Sequence, residues 1–234
     1  MSRIEAATIR RVDSRFLLLF IVPMIIGFYA QHRVKSTFAR NLQVPVANGM
    51  TGAQVARRVL DANGLQDVTV EETAGTLSDH YDPRNRSVHL SPEVFRGTSV
   101  SSTAVGAHEV GHAIQHQQTY GFFRFRSAMF PAVAFSSRLW AVFLLGGIFL
   151  QVTGLFLVAI ALYSNAVLFQ IVTLPVEFDA SRRAKRQLSD LGLVAATESG
   201  GVSSVLTAAA WTYVAGALAS VAMLLYYLQL FSNR

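Results

Sequence analysis

The chain contains no cysteine. That absence excludes a disulfide framework, every thiolate metal site and a cysteine nucleophile, and it leaves the redox compartment unreadable. Charge is also scarce. Charged residues make up 15% of the 234-residue chain, where a soluble domain carries about 25%. Hydrophobic residues reach 52% and the mean hydropathy is +0.37. This is the balance of a membrane protein, so the lipid bilayer is an expected partner. The formal net charge is +6, and the arginines cluster beside apolar segments. That placement suits anionic lipid headgroups, and nucleic acid is not an expected partner. There is no internal repeat and no low-complexity tract.

What is present is organised around one polar stretch, residues 103–117, which contains His108-Glu109-Val-Gly-His112. On an α-helix, residues four apart are separated by about 40° around the axis and about 6 Å along it. His108 and His112 therefore stack on one face and can aim imidazole nitrogens at one metal ion. Glu109 lies about 100° round from His108, beside such an ion, where a carboxylate can take a proton from water held there. Ala104, Gly106, Ala107, Gly111 and Ala113 leave room for other backbone to approach this helix. The five-residue pattern fixes only three letters, and two histidines on an ordinary helix would satisfy it equally well.

Taken in order, residues 1–32 read as an arginine-rich tail followed by an apolar membrane anchor at 16–30, retained rather than cleaved as a leader. Residues 33–127 read as a catalytic domain. Thr51 and Gln54 form a capping box that opens a helix stopped at Asn63-Gly64. Residues 68–72 alternate like a strand, and two short strands flank a polar turn at 82–86. Ser91, Pro92 and Glu93 have the order of an N-cap, a proline at the first helical position and a first-turn acid. The helix carrying His108 is expected from about Ser99–Ser102 to Gln118. Residues 128–176 read as a helical membrane hairpin, with one interior charge at Arg138 and a turn near 151–154. Residues 177–202 return to polar sequence and read as a separate helix that starts at Glu177 and ends in a Ser/Gly-rich link, and 203–234 read as a C-terminal transmembrane helix.

A catalytic zinc takes three protein ligands and keeps one position open for water. His116 continues the series of four but lies about 12 Å along the axis from His108, too far to share an ion with both histidines. His80 and His89 precede the helix and fit hydrogen-bonding or surface roles better. Glu177 is the favoured third ligand, because it opens the polar segment after the membrane block. The competing reading of Glu177 is an acid at a helix N-terminus.

Four stretches together resemble the neutral zinc metallopeptidases of bacterial membranes, the YugP-like group. They are Gly75-Thr-Leu-Ser-Asp-His-Tyr-Asp-Pro83, Val88-His-Leu-Ser91, Ala107-His-Glu-Val-Gly-His-Ala-Ile-Gln115 and Leu174-Pro-Val-Glu-Phe-Asp-Ala-Ser181. Their order and spacing match from about residue 16 onward. The resemblance implies a multi-pass membrane protease of the glutamate-zincin type that uses Zn2+. His108 and His112 would be ligands and Glu109 the catalytic base. The group looks related to membrane zinc proteases of the HtpX and CAAX-prenyl type, which carry Glu-x-x-x-Asp. Glu177 matches that glutamate, Ser181 stands where the aspartate would be, and Asp179 is the nearest carboxylate able to orient a ligand from behind.

The expected fold is therefore a mainly α membrane protein, with about four transmembrane helices and a small α+β zincin-like catalytic domain. The expected activity is hydrolysis of peptide bonds in membrane or membrane-proximal proteins, by a zinc-activated water with Glu109 as general base. His80 and Tyr81 are candidate oxyanion donors, and residues 87–90 a candidate edge strand for an extended peptide substrate. If Glu177 shares an ion with His108 and His112, the apolar block between them crosses the bilayer an even number of times. Flanking basic residues favour a cytoplasmic active site in a multi-pass cell-membrane protein. An intramembrane-cleaving zinc protease and a non-catalytic zinc-binding scaffold are the alternatives, and a homo-oligomer is left open.

Overall fold

The computed structural model describes residues 14–232. Most of the N-terminal tail, including Arg3, Arg10 and Arg11, lies outside them, as does Arg234. The helices are α1 (Ser14–Leu42), α2 (Gly52–Ala62), α3 (Pro92–Phe95), α4 (Val100–Gln117), α5 (Gly121–Phe149), α6 (Thr153–Asp190) and α7 (Ser199–Ser232). The strands are β1 (Thr69–Glu72), β2 (His80–Asp82) and β3 (Ser87–Leu90).

Local chemistry accounts for several boundaries. Thr51 Oγ1 accepts from Gln54 N while Thr51 N donates to Gln54 Oε1, the reciprocal bonds of a capping box at the start of α2. Ser99 Oγ accepts from Ser102 N and starts α4. Ser91 departs from its expected capping role. It caps nothing with its side chain and instead donates from Oγ and backbone N to Asp79, tying the start of α3 to the loop before β2.

The sheet has the order β1-β3-β2, with β1 and β3 parallel and β2 and β3 antiparallel. The hairpin turn at 82–86 is where the sequence placed it, and Asp82 accepts from Arg84 N and Asn85 Nδ2 across it. The expectation of an edge strand at 87–90 is corrected. β3 is flanked on both sides, because the distant β1 pairs with it, and the edges fall to β1 and β2, of which β2 lies beside the cavity described below. Apolar residues of α2, β3 and α4, including Val55, Leu60, Val88, Leu90 and Val110, bury together in one core.

Three described helices, α5, α6 and α7, are long and apolar enough to cross a membrane by length and composition. α5 and α6 form an antiparallel hairpin closed by residues 150–152. Three cross-pairs run down it: Gly147 against Phe156, Ser136 bonded to Asn165, and Arg126 paired with Glu177. Outward residues are apolar and uncovered, Phe130 being 60% and Phe149 79% exposed, as a lipid-facing surface requires. The expectation of a separate polar helix starting at Glu177 is corrected. α6 runs unbroken from the apolar stretch through Glu177 to Asp190, helped by the good helix formers Ala180, Arg182, Arg183, Ala184, Lys185, Arg186 and Gln187. The Ser/Gly run after 199 is likewise not a link. It is the first turn of α7, where Gly201 packs against Asn41 and Val100.

α4 and α6 pack backbone to backbone at Gly111. A Cβ there would stand 2.6 Å from the Ala180 carbonyl oxygen, so only glycine allows the two backbones this near. Gly111→Ala is expected to destabilise the protein by about 1–3 kcal/mol, the usual cost of overpacking, and to lower its metal content. Gly154→Ala, with nothing within 4 Å, should leave both unchanged. Thermal unfolding in detergent and metal analysis of the two variants measure the contrast.

Candidate metal centre

α4 presents His108 and His112 on one face, their ring centroids 4.9 Å apart and edge to face. α6, drawn in at Gly111, brings Glu177 opposite them. Glu177 Oε2 lies 3.2 Å from His108 Nε2 and 3.6 Å from His112 Nε2. Ligand atoms on a tetrahedron around zinc, each about 2.0–2.1 Å from the ion, are roughly 3.3 Å from one another. Both carboxylate-to-imidazole separations are thus about what one zinc ion demands, the three ligand atoms all lie within 4.8 Å of one another, and these are the residues among those described that could hold a metal.

The hydrogen bonds behind the ligands point the same way. Gln115 Nε2 donates to the Val176 carbonyl (2.8 Å) and to Asp179 Oδ2 (2.9 Å). Both are acceptors only, so Gln115 Oε1, 2.9 Å from His112 Nδ1, accepts from that ring. Nδ1 therefore carries the proton, and a neutral His112 turns a bare Nε2 lone pair toward the Glu177 carboxylate. Facing lone pairs repel. One divalent ion placed between them would take up the Nε2 lone pair and the carboxylate together. The residues present fit a zinc ion on this ground. Ser181 Oγ, 3.2 Å from His108 Nδ1, orients the other ring. Asp179 is itself held by Arg183.

Glu109 is buried beside the group but outside it. Burial pushes its carboxyl up to about 7, with His108 pulling in the opposite direction. It lines a cavity of about 460 Å³ together with residues 79–84, His108, His112, Phe123, Arg126, Phe130, Pro131, Phe169, Glu177 and Tyr213. One wall is thus the polar β2 loop, and the other is made by the membrane hairpin and α7.

The other residues singled out from the sequence fall into place as follows. His80 lines the cavity mouth, exposed, with Nδ1 bonded to the Ser78 carbonyl and its ring stacked on His89. Tyr81 lines the cavity too, but its hydroxyl is 2.9 Å from His116 Nδ1. His116 stands apart from the metal-ligand group, as the helix rise requires, and burial lowers its pKa. His89 contacts Ser87 Oγ at 2.8 Å. Sequence reasoning missed four residues: Gln115, Ser181, Arg126 and Tyr213. Arg126 Nη1 lies 3.3 Å from Glu177 Oε1, and Tyr213 lines the same cavity as Glu177. A tyrosine in the N-terminal half of α7, apart from the Tyr226–Tyr227 pair, and an arginine leading into an apolar helix were the available signals.

A family model described as "Putative neutral zinc metallopeptidase" matches residues 16–232. A Bacillus subtilis (strain 168) protein named "Putative membrane protease YugP" is 48% identical over 218 residues, covering 93% of this chain and 97% of that protein. No solved structure matches the chain.

Glu177→Ala is expected to lower zinc occupancy sharply, while His116→Ala, which removes only the partner of Tyr81, should retain the ion. Zinc analysis of the two purified variants separates them. A folded His116→Ala protein without zinc would overturn the ligand set.

Proposed function

Because the chain belongs to the neutral zinc metallopeptidase family whose model spans residues 16–232, we propose that it is a membrane-bound zinc endopeptidase. In this reading His108, His112 and Glu177 hold Zn2+. The observation that carries it is the convergence of two imidazole nitrogens and one carboxylate oxygen beside a buried glutamate in a cavity. Zinc, when bound, supplies Lewis acidity toward water and the scissile carbonyl.

The chain's own residues do the rest. Glu109 takes the proton of the attacking water and returns it to the leaving amine. Gln115 and Ser181 keep the two rings turned toward the ion, and Asp179 fixes Gln115. An oxyanion donor must come from the cavity wall. His80 remains a candidate there. Tyr81 is a weaker one, since its hydroxyl is already bonded to His116. The free edge of β2 is the surface for an extended peptide, because backbone pairing binds a chain without demanding one sequence. The facing wall of Phe130, Pro131 and Phe169 favours segments of membrane or membrane-proximal proteins as substrates.

The protein is read as multi-pass, with α1 as a fourth crossing and residues 33–127 as the catalytic domain. The ends of α5 and α6 that carry Arg126 and Glu177 share one side of the membrane, and the 150–152 turn lies on the other. Arg33, Lys35, Arg40, Arg124, Arg182, Lys185 and Arg186 gather on the catalytic side, which makes that side cytoplasmic.

Glu109→Gln should abolish hydrolysis of casein by the purified protein while leaving zinc bound. A folded variant that has lost its zinc would show Glu109 to be something other than the base. Topology is open to single-cysteine labelling, since the chain has no cysteine of its own. Cysteines at the exposed positions Thr98 and Ser189 should share one accessibility, and one at Thr153 should show the opposite. Opposite labelling of Thr98 and Ser189 would contradict the even number of crossings.

A further inference from the structure

Glu177 has two carboxylate oxygens, and they face different partners. Oε2 meets the two histidine Nε2 atoms at 3.2 and 3.6 Å. Oε1 lies 3.3 Å from Arg126 Nη1. Arg126 comes from the opposite strand of the membrane hairpin, at its open end. Its guanidinium sits over the Phe169 ring, 5.9 Å from the centroid, and its side chain is only 29% exposed. Among the described residues, Glu177 is the carboxylate it pairs with. A ring on one side and a carboxylate on the other therefore hold the guanidinium in place.

We propose that Arg126 is a positioning residue that occupies Oε1, so that Glu177 offers a metal one oxygen rather than two. The proposal rests on the metal-centre reading above and adds a role to it. A carboxylate whose two oxygens are both free can bind a cation through either one or both. A second Glu177 oxygen on the ion would fill the position that a catalytic zinc keeps open for water. Arg126 prevents this from outside the ligand set. The hairpin thus does more than anchor the protein, because the register of α5 on α6 sets how the third ligand binds.

Cobalt(II) tests this directly, because its visible absorption falls as coordination rises above four. Full-length protein in detergent, stripped with a chelator and loaded with Co2+, is compared with R126Q and R126K. R126Q is expected to bind zinc no more weakly than the wild type, to show a weaker cobalt band, and to lose about 10–100-fold in kcat with little change in KM. R126K, which keeps a cation facing Oε1, should retain most of the wild-type band. Phe169→Leu, which removes the ring but not the ion pair, should weaken the band to a smaller degree and serves if R126Q does not fold. A wild-type band in R126Q overturns the proposal whatever the activity. A raised KM with that unchanged band assigns Arg126 to substrate binding instead, and loss of zinc reduces its role to structural support. If the wild-type protein takes up neither zinc nor cobalt, it is the metal-centre reading itself that fails.

Discussion

The site depends on how closely α4 can approach α6. Gly111 lets the Ala180 carbonyl come within 2.6 Å of where a Cβ would stand. That approach puts a buried carboxylate from one helix against two imidazoles from the other. Burying Glu177 is costly unless its charge is matched, and leaving it unmatched would be strongly destabilising. The fold sets Arg126 against one oxygen and the Nε2 atoms of His108 and His112 against the other. A divalent cation held between the carboxylate and the two rings would match the charge that Arg126 leaves over.

The membrane hairpin follows from the same constraint. Glu177 can meet α4 only if the apolar block between them returns to the side it left, and the turn at 150–152 brings it back. α6 is one continuous helix, so the ligand end and the apolar end belong to a single element. The hairpin also supplies Arg126 and the Phe130–Pro131 wall, so the cavity is shared between the polar domain and the apolar helices.

What the sequence made legible was local in origin. The spacing of His108 and His112, the capping box at Thr51 and the β2–β3 turn depend on residues within a few positions of each other. Glu177 was legible through its place after the apolar block and through the family resemblance. The parts that were not legible depend on packing between distant segments. β1 pairs with β3 in parallel, which makes β3 the central strand and leaves β1 and β2 as the edges. Ser181 was noticed as a departure from an expected aspartate, yet its hydroxyl orients His108 because α6 lies so near. Gln115 connects His112 to Asp179, a link that no single-helix pattern contains. Arg126 looked like a flanking charge until the hairpin folded it back onto Glu177.

The most direct measurement of the central claim is an anomalous difference map, collected at the zinc edge from crystals of the full-length protein. One peak per chain is expected, about 2.0–2.2 Å from His108 Nε2, His112 Nε2 and Glu177 Oε2. An empty site at full zinc saturation, or a single peak at His80 and His89 instead, would contradict the assignment.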